Sequence, residues 1–279
     1  MQQPLEFPLS NITLCGIGYG DPSKPMILAL HGWLDNAASF QPIAEYLNDY
    51  YILAIDITGH GLSSHRSDGA NYHLTDFVFD IHELVESQGW SSFVLMGHSM
   101  GGVLISTAIA AGTLPEIEVA AIALLGTQIV RRRWYLQVPF VTSLGKLWFT
   151  FKSEMDGRKL KIGPENEPSG IAKEYLRWLG LLGRWRLKHN KTPLFAKWQG
   201  VTIPVLAMVG KNDQSDPAKD CQRFYELCGS DDKVFKLLAK DEGFSRDFGH
   251  IDMIVSKDAA KEVWPELSGW LAEIKPTAG

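Results

Sequence analysis

Residues 93–111 read FVLMGHSMGGVLISTAIAA. The first four are apolar, as in a buried strand, and the last nine have the composition of a buried helix. Between them lies a G-x-S-x-G pattern, Gly97-His98-Ser99-Met100-Gly101. Between a strand and a helix this pattern folds into a sharp elbow, in which glycine is needed because side chains would collide. The segment therefore predicts Ser99 as a nucleophile at the carboxyl end of a sheet, near the positive end of a helix.

Short apolar runs bounded by Gly, Pro, Asp or Asn recur along the chain, with helix-like spacing between them. The predicted strands are residues 12–19, 26–30, 51–56, 93–96, 119–125, 204–209 and 233–238. The predicted helices are residues 38–47, 74–88, 100–111, 218–227 and 257–271. Thr75 is the predicted N-cap of the second helix. This alternation predicts an α/β fold with a mainly parallel, doubly wound sheet.

Residues 131–200 interrupt the alternation, because no strand-like run followed by a turn occurs there. The segment has fifteen Lys and Arg against five Asp and Glu, a charge of +10. The rest of the chain therefore has a charge of −15, which gives the net charge of −5. Five of the nine tryptophans lie in it: Trp134, Trp148, Trp178, Trp185 and Trp198. We therefore predict a helical cap at 131–200, inserted over a core domain formed by 1–130 and 201–279.

A serine hydroxyl needs a histidine as base and a carboxylate that orients the histidine. After Ser99 the chain has two histidines. His189 lies among arginines and lysines, as on a solvated surface, whereas His250 lies in a loop after the last predicted strand and is the predicted base. The loop after the preceding strand offers Asp213 and Asp216. Asp213 is the favoured acid because it is nearer the strand, and either residue could instead only form a turn.

The oxyanion of an acyl-transfer intermediate needs two backbone N–H donors. Met100 follows the nucleophile and supplies one, and Trp33, in the first strand-to-helix loop, is the predicted second donor. The alternative for Trp33 is a packed side chain at a glycine turn. We interpret His31 as a structural hydrogen-bonding residue and the glycine-rich loop 56–63 as scaffold. His98 could contact substrate or pack behind the elbow.

The bulk composition is that of an ordinary soluble globular protein, with 45% hydrophobic and 21% charged residues. The N-terminal residues 1–11 have no signal-peptide pattern and no long apolar stretch occurs, so the expected location is cytoplasmic. The three cysteines, Cys15, Cys221 and Cys228, lack the spacing of a zinc or redox motif and are expected to be free thiols.

These motifs together resemble the α/β-hydrolase superfamily over about residues 26–271. The matching stretches are His31-Gly32-Trp33, 56–63, 97–101, 210–217 and Gly249-His250. Within that superfamily, residues 31–99 look most like serine-hydrolase-like proteins and small bacterial carboxylesterases and lipases. One departure is Ile57-Thr58, where Leu-Pro is more common; this position is not catalytic.

The resemblance implies a carboxylic ester as substrate and an acyl-enzyme mechanism that requires no metal or organic cofactor. Carbon–carbon bond hydrolases, lactonases and perhydrolases use the same triad and remain alternatives, as does a non-catalytic binding protein that retains the fold. An aspartate nucleophile would have indicated a dehalogenase or an epoxide hydrolase, and Ser99 argues against both.

The expected partner is a small-molecule or lipid ester, and no nucleic acid. For the cap we favour the hypothesis that its aromatic and aliphatic faces line an acyl pocket. Contact of its basic face with a membrane surface is the less favoured hypothesis, because basic amphipathic stretches are common without membranes. The sequence leaves the oligomeric state open.

Overall fold

The computed structural model describes residues 2–66, 72–114, 119–131, 135, 138–152, 154–160, 163–180, 185–187 and 193–274. Its strands are β1 (Gln2–Pro8), β2 (Thr13–Tyr19), β3 (Met26–Leu30), β4 (Tyr51–Asp56), β5 (Phe93–His98), β6 (Val119–Leu125), β7 (Glu154–Asp156), β8 (Asn166–Pro168), β9 (Val205–Gly210) and β10 (Lys233–Leu238). Eight of them form one sheet in the order β1-β2-β4-β3-β5-β6-β9-β10. The pair β7 and β8 forms a separate small sheet.

The sheet is parallel from β4 to β10 and antiparallel at the β1–β2–β4 edge. The predicted α/β fold with a mainly parallel sheet is therefore confirmed. The sequence interpretation missed β1, which contains Pro4 and Pro8 and buries only Phe7 fully. A strand at a sheet edge tolerates proline because one side of its backbone needs no partner, so it lacks the usual strand pattern.

The helices cover both faces of the sheet. They are α1 (Gln41–Tyr46), α2 (Leu74–Gln88), α3 (Met100–Ala111), α4 (Pro139–Thr150), α5 (Gly157–Leu160), α6 (Ser169–Leu179), α7 (Leu194–Trp198), α8 (Ala218–Glu226), α9 (Asp252–Val255) and α10 (Ala259–Ile274). Alternate residues of β3 pack on opposite sides: Leu28 and Leu30 join the core with α2 and α3, and Ile27 and Ala29 join the core with α1 and α10. Two apolar layers thus hold one sheet between them.

The start of α2 differs from the prediction. His73, not Thr75, is the N-cap, and its backbone N–H donates to Asp76 Oδ2 at 2.9 Å. Thr75 lies inside the helix and is buried. The N-cap residue of this capping box is a histidine, whereas serine or threonine is usual. The sequence pattern therefore predicted the N-cap two residues too late in the chain, at Thr75.

The segment 131–200 contains α4, β7, α5, β8, α6 and α7, so the expectation that it has no strands is wrong for two three-residue strands. These pair antiparallel from Glu154–Pro168 to Asp156–Asn166. Trp178, Trp185 and Trp198 are buried, whereas Trp148 on α4 is exposed. Trp134 and His189 lie outside the described residues. The division into a core domain and a cap at these boundaries stays a prediction.

Candidate active site

The elbow at Ser99 lies between β5 and α3. Its backbone has φ 51° and ψ −117°, a conformation that is strained for a residue with a side chain. A methyl group built on Gly97 would lie 2.4 Å from the amide nitrogen of Gly102, and one built on Gly101 would lie 2.0 Å from the carbonyl oxygen of Leu30. Glycine at both positions therefore lets the turn close against β3 and carry Ser99 to the carboxyl edge of the sheet.

The predicted acid and base meet at the same edge. The structure places Oδ2 of Asp213 2.6 Å from Nδ1 of His250. Their two loops are held together because the Asn212 N–H donates to the carbonyl of Phe248 at 2.9 Å. Asp213 is buried, so its carboxylate is directed at the ring rather than at solvent. This is the contact that fixes an imidazole in the tautomer with Nε2 free to accept a proton.

The charges around His250 favour its protonated form. Burial by itself lowers the pKa of the ring, but the hydrogen bond and the charge of Asp213 outweigh that effect, with smaller contributions from the carboxylates of Asp216 and Asp35. The net result is a pKa of His250 above its ordinary value. A base of this kind holds a proton well once it has taken it.

The hydroxyl of Ser99 bonds to a residue that the sequence interpretation weighed only as the alternative acid. Its Oγ lies 3.3 Å from Oδ2 of Asp216, and within the described part of the chain it has no hydrogen bond to His250. Oδ1 of Asp216 accepts from Nε2 of Gln128 at 2.6 Å. Neither contact could be read from the sequence, although the two aspartates do share one turn: the Asp216 N–H donates to Oδ1 of Asp213 at 2.7 Å.

The predicted oxyanion donors lie around the elbow. Met100 is the first residue of α3, so its N–H has no acceptor within the helix. The N–H of Trp33 has no hydrogen-bond partner among the residues that the structure describes. A methyl group built on Gly32 would lie 3.1 Å from Cβ of Ser99, so the loop that carries Trp33 contacts the serine directly. The assignment of both N–H groups to an oxyanion stays a prediction.

A carboxylate from the 131–200 segment supports this loop, and the sequence interpretation missed it. Oε2 of the fully buried Glu167 accepts from the Leu34 N–H at 2.9 Å and lies 3.2 Å from Nε2 of His60. Leu34 has φ 57°, a left-handed conformation that needs such support. Its carbonyl in turn accepts from the Glu165 N–H at 3.0 Å. The sequence signal that could have pointed to Glu167 is that it is one of only five acidic residues in this basic segment.

Two histidines have the structural roles that were expected or left open. Nδ1 of His31 bonds to the carbonyl of Gly32 at 2.9 Å, and its Nε2 accepts from the Ile57 N–H at 3.1 Å. His98 is buried with its Nε2 3.0 Å from the carbonyl of His250, and burial lowers the pKa of His98 to about 3. Of the two readings for His98, packing behind the elbow is the one that this geometry favours.

Residues of the loop 56–63 serve as scaffold, as expected. The carboxylate of Asp56 accepts from the Ala37 N–H at 2.7 Å and from the Leu62 N–H at 2.9 Å. These bonds tie the loop after β4 to the loop after β3. The arrangement fixes the backbone near the elbow and exposes no reactive group.

An aromatic pair joins the loop after β3 to α6. The ring of Tyr175 on α6 packs edge-on against Trp33, with ring centroids 5.0 Å apart. Burial, followed by the charges of Asp216 and Glu167, raises the pKa of Tyr175 well above its ordinary value, so its hydroxyl stays protonated and neutral. The indole Nε1 of Trp33 is buried and has no partner within the described residues.

The outer face of α4 is apolar and exposed. Its side chains at helical spacing include Phe140, Leu144, Leu147 and Trp148, and Phe151 continues the face after the helix ends. Lys152 lies over the ring of Trp148, with Nζ 5.5 Å from its centroid. Across the described helices, none combines the length and the low charge that a bilayer crossing demands.

Comparison with known proteins finds the same fold. A family model described as "alpha/beta hydrolase fold" matches residues 25–148, a range that includes Ser99. The human "Serine hydrolase-like protein" is 47% identical over 87 residues, which are 31% of this chain and 43% of the human protein. The match thus spans less than half of that relative's length.

Solved structures align over nearly the whole chain. A thioesterase domain from the curacin biosynthetic pathway has a TM-score of 0.70 and 16% identity, covering 96% of this chain and 99% of its own. A thermophilic esterase from Thermogutta terrifontis has a TM-score of 0.67 and 16% identity, with coverages of 98% and 99%. At such identities the likeness is one of fold.

Proposed function

This chain is a protein of the α/β-hydrolase fold, and on that premise we propose that it is a serine hydrolase that cleaves carboxylic esters through an acyl-enzyme on Ser99. One observation carries the proposal: the 2.6 Å pair of Asp213 and His250 lies at the sheet edge where the strained elbow carries Ser99. Strain of this kind persists at functional sites because the surrounding structure maintains it. The esterase and thioesterase neighbours in fold agree with this chemistry without fixing the substrate.

In the proposed mechanism the Ser99 hydroxyl first turns from Asp216 to Nε2 of His250. His250 takes the hydroxyl proton as Oγ of Ser99 attacks the ester carbonyl, and Asp213 stabilises the imidazolium. The N–H groups of Trp33 and Met100 hold the oxyanion. His250 then gives the proton to the departing alcohol, which leaves an acyl group on Ser99. Water, deprotonated by His250, attacks this ester, and the collapse of the second intermediate releases the acid while His250 returns the proton to Oγ of Ser99.

The substrate side of the proposal is a small-molecule or lipid ester. We place its acyl group under the 131–200 segment, against Tyr175 and Trp33, where apolar rings already face each other at 5.0 Å. Contact of this segment with a lipid surface is the less favoured proposal. It is supported by the exposed apolar face of α4 and by Lys152 beside that face.

The test is a panel of p-nitrophenyl esters from acetate to palmitate, hydrolysed by wild type and by Ser99→Ala. We expect Ser99→Ala to lose turnover by a factor on the order of a millionfold, because the triad acts as a unit. Ser87→Ala is the matched control, since Ser87 is an exposed serine on α2 whose hydroxyl donates to the carbonyl of Leu84 and accepts from Nε2 of the neighbouring Gln88. It is expected to keep wild-type turnover.

A fluorophosphonate probe separates catalysis from the alternative of a binding protein that retains the fold. The probe should label wild type and Ser87→Ala at Ser99, and should leave Ser99→Ala unlabelled. Absence of labelling in the folded wild-type protein would favour the binding protein. Labelling without turnover of any ester would favour the other triad chemistries, namely carbon–carbon bond hydrolysis, lactone hydrolysis or perhydrolysis.

A further inference from the structure

The mechanism leaves one carboxyl group beside Ser99 unused. Oδ2 of Asp216 lies 3.3 Å from Oγ of Ser99, and Oδ1 accepts from the Gln128 side chain at 2.6 Å. A group at this distance from the nucleophile lies beside any substrate whose carbonyl carbon the nucleophile attacks. Asp216 is therefore placed to contact substrate atoms that are one or two bonds away from the scissile carbonyl.

The Asp216 carboxyl is held rigidly. Its backbone N–H donates to Oδ1 of Asp213 at 2.7 Å, and its carbonyl accepts from Sγ of Cys221 at 3.3 Å. Asp213 is itself held by its hydrogen bond to His250, so this one turn fixes the positions of both carboxylates. The bond to Gln128 holds the side chain of Asp216 beside Ser99.

The charge of the groups around Ser99 is unbalanced. Two carboxylates, Asp213 and Asp216, surround one imidazole, so the three groups sum to −1 even when His250 is protonated. In the described part of the chain, both hydrogen-bond partners of the Asp216 carboxyl, Gln128 and Ser99, are neutral. The nearby Arg131 bonds instead to the carbonyls of Gln214 and Ser215, at 3.0 and 2.9 Å.

Burial raises the pKa of Asp216 to about 6. At pH 7 the group is therefore mainly ionised. A carboxylate in such a setting gains most from a cationic partner, because an unpaired charge away from water is costly. The structure thus presents an anionic acceptor beside the nucleophile without a protein cation bonded to it in the described residues.

We propose that Asp216 makes this enzyme selective for acyl groups that carry a protonated amine next to the scissile carbonyl, as in an ester of an amino acid. The inference rests on the proposed function and names its substrate class. The ammonium group occupies Oδ2 of Asp216 in place of the Ser99 hydroxyl, which is then released to bond with His250. Substrate binding and activation of the nucleophile are coupled by this exchange, and acyl groups with a carboxylate are repelled.

The experiment compares benzyl esters that share a leaving group: alanine benzyl ester, benzyl propionate, benzyl lactate and monobenzyl succinate. Release of benzyl alcohol gives kcat/KM for each at pH 7. For wild type we expect the alanine ester to exceed the propionate at least tenfold, and the propionate to exceed the succinate at least tenfold. Lactate, which offers a hydroxyl without charge, should resemble propionate.

Asp216→Asn removes the charge and keeps the shape and an acceptor for Ser99. We expect the ratio of alanine ester to propionate to fall to near one, chiefly through a higher KM for the alanine ester. A merely structural role would lower all four values together and keep the ratio. Asp220→Asn, which removes a neighbouring carboxylate that faces Arg131 rather than Ser99, is the matched control and should keep the wild-type ratio.

The outcomes separate the two proposals. If the fluorophosphonate probe labels Ser99 and wild type hydrolyses all four esters at similar rates, the selectivity inference is overturned and the serine hydrolase stands. If neither labelling nor hydrolysis occurs, the proposed function itself has failed. A lactate ester used as well as the alanine ester would also overturn the charge argument. The wild-type ratios decide the matter even if Asp216→Asn does not fold.

Discussion

The acceptor of the Ser99 hydroxyl decides whether this residue is an idle polar group or a nucleophile. In the structure the acceptor is Asp216, while the imidazole that could take the proton is held 2.6 Å from Asp213. The proposed mechanism needs this hydroxyl to turn from Asp216 to His250, which is a rotation about one side-chain bond between staggered positions. In that proposal, substrate triggers activation of the serine through this side-chain rotation, without a change in the backbone of the elbow.

The pH dependence of hydrolysis tests the acid–base pair at this scale. His250 must be neutral to act as base, and its pKa is raised, so kcat/KM for benzyl propionate should rise with pH and level off only above the ordinary histidine value. The groups that face the ring are Asp213, Asp216, Asp35 and the neutral His98. Asp213→Asn removes the main contribution that raises the pKa, so the midpoint should move to lower pH, with turnover reduced by roughly ten-thousandfold because the tautomer is no longer fixed.

Profiles measured from pH 4 to 9, together with an NMR titration of the His250 ring, check this expectation. Asp241→Asn removes a carboxylate that is paired with Lys211 on the surface, and it should leave the midpoint in place. A midpoint that stays or rises in Asp213→Asn would mean that another group sets the profile.

At the scale of elements, the loop after β3 depends on a carboxylate that comes from far along the chain. The buried Glu167 accepts from the Leu34 N–H and pairs with His60. Burial lowers the pKa of His60, but the charge and hydrogen bond of Glu167 outweigh burial and raise it. Glu167 on β8 is thereby joined to the loop after β3 by a hydrogen bond and to the loop after β4 by an ion pair.

Replacing Glu167 by Gln should destabilise the fold in a pH-dependent way. Because the pKa of His60 is raised in the folded state, the pair contributes fully below the ordinary histidine pKa, and its contribution is lost as pH rises through the folded-state value. Removing one partner of such a pair costs about 3 kcal/mol. We expect a loss of this size in the free energy of unfolding at pH 6 and a clearly smaller one at pH 9.

Urea unfolding at the two pH values measures the effect. Glu262→Gln is the control, because Oε2 of Glu262 accepts from the Ser245 N–H at 2.7 Å and Glu262 is not among the groups that shift the pKa of His60. Its loss should be small and independent of pH. Equal losses for Glu167→Gln at both pH values would contradict the proposed charge on His60.

The same elements show what the sequence could and could not supply. Strands such as Met26–Leu30 and Tyr51–Asp56 were predicted with their observed bounds, because a fully buried parallel strand is a short apolar run with clear ends. The pairing of Asp213 with His250 followed from their places after strands that end at one sheet edge. The contacts of Asp216 with Ser99 and of Glu167 with Leu34 depend on loop conformation and on distances along the chain of over a hundred residues, which leave no local pattern.

At the scale of the whole molecule, the 131–200 segment shares its core with the sheet. Trp185 and Trp198 lie in the same apolar cluster as the side chains of α3 and α8. Trp198 stacks on Phe224 with centroids 5.2 Å apart, and its Nε1 donates to the Phe224 carbonyl at 3.2 Å. Trp185 Nε1 donates to the hydroxyl of Thr107 on α3 at 3.1 Å. Such contacts couple the stability of the predicted cap to that of the core.

Two tryptophans of the segment make a matched pair for testing that coupling. Trp198→Ala removes a fully buried ring and should lower the free energy of unfolding by about 3–5 kcal/mol. Trp148→Ala removes an exposed ring on α4 and should change it by less than about 0.5 kcal/mol. Because the buried ring belongs to the common core, we expect wild type to unfold in one transition that far-UV circular dichroism and tryptophan fluorescence report at the same urea concentration. Two separated transitions, with Trp198→Ala shifting only one of them, would show instead that the segment unfolds as a unit of its own.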